Sequence, residues 1–134
     1  MLRFAGLCAA LGLVAVVMAL PASADDKAPS IEEIMKKLHG KAGSHKVVGK
    51  SLDAAELDWD SIAKHAKIYA DLSASLEKNT PEKGDKKAWD KLSQLYAKDA
   101  KALSEAAAKK DKEAAKAVFA RLKESCDACH ENHR

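Results

Sequence analysis

Residues 111–134 read DKEAAKAVFARLKESCDACHENHR. Ala115, Val118, Phe119 and Leu122 recur at steps of three and four, the spacing of one helix face. Cys126, Cys129 and His130 continue that face. The stretch therefore predicts a helix from about Asp111 to the end of the chain, with two thiols and an imidazole on its apolar side. What the rest of the chain packs against that side decides the fold.

Upstream, the sequence is almost free of strand signals. Valine, isoleucine and aromatic residues are sparse, and Ala, Lys, Leu, Glu and Asp dominate, a composition that favours helix. Breakers divide the chain into four segments. The first opens with Ser30 and Glu33 as a capping box, followed by Ile31, Ile34, Met35, Leu38 and Ala42 on one face. Gly40 and Gly43 weaken it, leaving open whether it stops, kinks or runs on through SHKVVGK. The second is expected from Asp53, with Glu56 completing a box. Its seam is Leu52, Ala55, Trp59, Ile62, Ala66, Tyr69, Ser73 and Leu76. NTPEKGD ends it, and Asp85 opens the third. There Trp89, Leu92, Tyr96, Leu103 and Ala106 form a stripe that Asp99 interrupts. The fourth is the stretch quoted above. Four helices joined by short links predict an all-α, antiparallel up-down four-helix bundle. There is no internal repeat.

The first 24 residues have a different character. Arg3 supplies a positive start, Ala5 to Leu20 is apolar, and Ala22-Ser23-Ala24 is a small-residue cleavage site. The apolar run is short for a membrane span. Residues 1–24 are therefore expected to be a cleaved secretory signal peptide, with a single domain over 25–134. Such a chain has no stable membrane insertion after cleavage. Cys8 would leave with the signal, and Cys126 and Cys129 would remain. The full chain has 23 Lys+Arg against 20 Asp+Glu. Loss of Arg3 leaves 22 against 20, or +2, which gives no support for nucleic-acid binding.

Three chemistries compete for the terminal motif. A redox dithiol pair of the thioredoxin type sits at the start of a helix after a strand, where the helix dipole lowers a thiol pKa. This pair follows a long helical run. Zinc would need Cys126, Cys129, His130 and His133, four ligands within residues 126–133. Neighbours on a helix point about 100° apart, so Cys129 and His130 cannot easily close a tetrahedron. The third reading is covalent attachment of heme, which C-x-x-C-H denotes. Cysteines at i and i+3 face one side and can form thioethers to two vinyl groups. The imidazole at i+4 lies above the first cysteine and can reach the iron. The export signal agrees, because such heme is attached outside the cytoplasm. Candidates for the other side of the iron are Met35 and His39, one turn apart in the first helix. Ordinary core packing would also account for Met35, and a helix-end position for His39. His45 and His65 are expected to be solvated.

The chain resembles the class II c-type cytochromes, the group containing cytochrome c-prime and the low-spin cytochrome c556-like proteins. EIMKKLHG in the first helix, GDKKAW opening the third and CDACHENHR at the end carry the resemblance. It implies a left-handed four-helix bundle with heme c, one per chain, held by Cys126 and Cys129. His130 is then the proximal iron ligand, and Met35, with Lys36 and Gly40, matches the sixth-ligand position of low-spin members. The pocket would be flanked by Met35, Trp89 and the fourth helix. It further implies a periplasmic electron-transfer protein that catalyses nothing itself, meets redox partner proteins transiently and forms a possible homodimer. High-spin members leave the sixth position open, and some bind nitric oxide or carbon monoxide, which is the alternative function. The sequence departs from the family at His133, where an aromatic residue usually stands. Arg134 is placed near a heme propionate.

Overall fold

Ser30 begins the helical part of the protein. Its hydroxyl accepts from the Glu33 backbone N–H at 3.2 Å, and its own N–H donates to the Glu33 carboxylate at 2.8 Å. These bonds stabilise the charged carboxylate and hold Glu33 below the usual carboxylate range. The computed structural model describes residues 27–134. The expected signal peptide and Cys8 lie outside the described residues.

Helix α1 (Ile31–His39) buries Ile34 and Leu38. Gly40 ends it, with its N–H donating to the Lys36 carbonyl at 2.9 Å. At Gly43 the turn passes so close to the Leu38 carbonyl that a Cβ would strike backbone. Helix α2 (Ser44–Asp53) then starts afresh and buries Val48 and Leu52. The glycines thus stop the first segment and restart it, and Ala42 lies exposed in the turn.

The expected start of the second segment at Asp53 is displaced. Leu52 belongs to the buried face of α2, which carries Asp53 with it as its last residue. Asp58 caps the next helix instead, accepting from the Ser61 N–H at 3.0 Å. Ala55, expected on the seam, is exposed in the link. Helix α3 (Trp59–Ser73) buries Ile62, Ala66, Tyr69 and Ser73, as the spacing predicts.

Helix α4 (Lys86–Ala108) is capped by Asp85, which accepts from the Ala88 N–H at 2.8 Å. Trp89, Ser93, Tyr96, Ala100, Leu103 and Ala107 are buried in alternating steps of four and three, a seven-residue seam. Ser93 and Ala100 fill places the predicted stripe left out, while Leu92 is half-buried. Asp99 interrupts the stripe because it sits at the helix edge. It accepts from Arg121 Nε at 3.1 Å and Nη2 at 2.8 Å. A surface pair of this kind is worth about 0–1 kcal/mol and helps register more than stability.

Helix α5 (Lys112–His133) opens at Asp111, which accepts from the Ala114 N–H at 3.0 Å. It buries Ala115, Val118, Phe119 and Leu122. Helices α3, α4 and α5 pack in sequence order, α1 and α2 lie on α3, and α2 also meets α5. The architecture is an all-α four-helix bundle whose first arm is broken into α1 and α2. Only the α2 half of that arm approaches α5.

Candidate functional site

Where α1 stands off from α5, the bundle holds a cavity of about 500 Å³, within the range of small-molecule and cofactor sites. Its walls are mostly apolar. Helix α1 contributes Ile31, Met35 and His39, and α4 contributes Trp89, Ser93 and Tyr96. Helix α5 contributes Cys126, Cys129, His130 and His133. The four residues of the terminal motif and both ligand candidates of the first helix, Met35 and His39, therefore reach one cavity. Arg134 lines it as well, and Leu76 closes the side formed by the α3–α4 link.

The two cysteines are free and half-buried. Cys126 Sγ makes a weak hydrogen bond to the Leu122 carbonyl at 3.5 Å. Burial, reinforced by the charge of Asp127, pushes the Cys126 thiol up, and burial with Cys126 alongside pushes Cys129 up. Both are held as thiols, the opposite of the depressed pKa a dithiol redox site needs. Among the described residues no three His, Cys, Asp or Glu side chains are grouped to hold a metal ion.

The donor set fits heme. Two thiols one turn apart, an imidazole beside them and a thioether on a different helix surround an apolar space.

The family model for cytochrome C' matches residues 30–134. The chain belongs to the cytochrome C' family. No curated protein and no solved structure matches it. Cytochrome C' proteins carry covalently bound heme c, are typically periplasmic and are often dimers. Among the described residues of this cytochrome, no helix is long and apolar enough to cross a membrane.

The place of an aromatic residue after the motif is taken by His133, which packs like one. Its ring meets Trp89 edge to face at 5.5 Å. Its Nδ1 donates to the Lys83 carbonyl at 3.0 Å, and Trp89 Nε1 donates to the Leu76 carbonyl at 3.1 Å. Together they fasten the α3–α4 link over the end of α5. Gly84 makes this possible: its φ is +86°, and a Cβ there would run into the His133 ring and the Asn132 carbonyl.

The histidines of the first arm differ from expectation. His45 is not simply solvated: its Nδ1 pairs with Tyr69 Oη at 3.1 Å. His65 Nδ1 pairs with Ser44 Oγ at 3.2 Å. His39 reaches solvent in part, yet its Nε2 pairs with Tyr96 Oη at 2.9 Å and its ring packs on His45 at 4.9 Å. Tyr96 and Tyr69 join through their hydroxyls at 2.6 Å. Burial first, then His45 and His130, push His39 down to about 4, so its imidazole is neutral. Burial and Lys123 lower His45 as well. Burial raises both phenols beyond their ordinary range. The periodicity marked both tyrosines as core but gave no sign of their hydroxyls. The helix break resets the phase at Ser44, so the inward turn of His45 was not readable from α1.

Proposed function

We propose that this cytochrome C' protein is an exported one-electron carrier with a low-spin, histidine–methionine iron. The observation that carries the reading is the cavity that gathers Met35 from α1 with Cys126, Cys129 and His130 from α5. Residues 1–24 direct export and are removed, and residues 25–134 work in the periplasm.

Bound heme supplies a one-electron couple whose potential depends on its axial ligands. Cys126 and Cys129, both free thiols facing the cavity, would hold it by thioether links. His130 from α5 and Met35 from α1 would be the side chains that hold the iron. A thioether ligand raises the potential relative to a second imidazole. The apolar walls given by Ile31, Leu76 and Trp89 exclude water and limit rearrangement when charge changes. In this reading the protein passes single electrons between partners and catalyses no reaction itself. Lysines beside residues of the site, Lys36 after Met35 in the chain and Lys83, whose carbonyl binds His133, steer brief encounters with acidic redox partners.

The test is the optical spectrum of the oxidised holoprotein. A sulfur-to-iron charge-transfer band at the red edge is expected, lost with conversion to high spin in Met35→Ala and kept in His39→Ala. High-spin bands in the wild type, with ready uptake of carbon monoxide on reduction, would replace this reading with the gas-binding one.

A further inference from the structure

Met35 and His39 lie one turn apart on α1, and both face the same cavity. Imidazole suits iron well, so a free His39 would compete with Met35 for the position opposite His130. The structure gives His39 a different engagement. Its Nε2 is 2.9 Å from Tyr96 Oη, Tyr96 Oη is 2.6 Å from Tyr69 Oη, and Tyr69 Oη is 3.1 Å from His45 Nδ1. Tyr69 and Tyr96 are buried in the seams of α3 and α4, so the middle of this relay is fixed in the core.

Counting protons shows how firm the engagement is. Three hydrogen bonds link four atoms, and the two hydroxyls supply one proton each. The third must come from one of the histidines. If His45 Nδ1 carries it, the relay runs from His45 through Tyr69 and Tyr96 to His39. Nε2 of His39 then accepts a bond, and its neutral ring bears its proton on Nδ1. Neither nitrogen has a lone pair for a metal. If His39 Nε2 carries the proton, the relay runs the other way and Nε2 is again closed. In both directions the nitrogen farthest from the backbone is occupied.

We infer that Tyr96, anchored by Tyr69 and His45, is a positioning residue that holds Nε2 of His39 in a hydrogen bond and so leaves the sixth iron position to Met35. This rests on the proposed methionine ligation. Met35 is chosen over its neighbour by a polar relay that runs from the cavity wall into the bundle rather than by reach alone. The selection is the chain's own, since Tyr96 touches His39 and need not touch the iron.

The experiment compares oxidised holoprotein spectra and reduction potentials of wild type, Tyr96→Phe and the double variant Tyr96→Phe/His39→Ala. Tyr96→Phe is expected to lose the sulfur–iron band while remaining low-spin, with a fall in potential as imidazole displaces thioether. The double variant should regain the band and the higher potential. A Tyr96→Phe protein that keeps the band overturns the inference, and so does a double variant that loses it equally, because Tyr96 would then act only through packing. The two claims fail separately. A high-spin wild type removes Met35 as ligand, yet conversion of Tyr96→Phe to a His39-dependent low-spin form would still show that His39 had been restrained. Nitrogen-15 shifts of the reduced, diamagnetic wild type give a check that needs no variant. They should show His39 Nε2 in a hydrogen bond, and a freely exchanging His39 ring would contradict the relay.

Discussion

His133 and Gly84 show how one residue's packing depends on another's backbone. The Cβ-free Gly84, at φ +86°, lets the link settle against the His133 ring, which bonds the neighbouring Lys83 carbonyl. Gly84→Ala adds a methyl where the ring and the Asn132 carbonyl already stand, in a backbone region that side chains disfavour. It is expected to destabilise the holoprotein by about 1–3 kcal/mol, measured by urea unfolding. The loss should be accompanied by a change in the near-ultraviolet signal of Trp89, because that ring packs on His133. The terminal motif and the placing of Met35 and His39 one turn apart on one helix were legible at this scale, since both are matters of residue type and spacing. The hydrogen bonds of His39, His45 and His65 were not. Each joins residues at least 21 positions apart, a separation no local period records.

At the scale of elements, aspartate caps set three of the helix starts: Asp58 for α3, Asp85 for α4 and Asp111 for α5. Sequence reading located the last two and placed the first at Asp53. There two aspartates five positions apart could each serve, and the burial of Val48 and Leu52 on α2 decided between them. The α4–α5 link is a Schellman ending. Lys110 N–H bonds the Ala107 carbonyl and Asp111 N–H bonds the Ala106 carbonyl, both at 3.0 Å. Lys110 occupies the left-handed position at φ 55°, where glycine is normally preferred. Lys110→Gly is therefore expected to stabilise the protein by up to about 1 kcal/mol without altering the heme spectrum. Thermal unfolding checks it, and a clear loss of stability would show that the lysine side chain contributes contacts of its own. The broken first arm was only half legible. Gly40 and Gly43 announced a weakness, but whether the chain kinks or restarts depends on the close approach of Gly43 to Leu38, a tertiary fact.

For the whole molecule, the break in the first arm and the cavity are connected. Helix α2 packs against α5 near Phe119, while α1 stays away from the Cys126–His130 end, and the space between is the site. The seams of α3 and α4 supply a continuous core elsewhere. A domain this small gains from a large apolar group completing the core at the open end, so the heme contributes to stability as well as to function. The account turns on covalent attachment at Cys126 and Cys129. Its most direct measurement is the intact mass, under denaturing conditions, of protein recovered from the periplasm of a host that matures c-type cytochromes. The account predicts one heme added to a chain beginning at Asp25, with neither thiol open to alkylation. A colourless chain of unmodified mass, with both thiols alkylated, would contradict it.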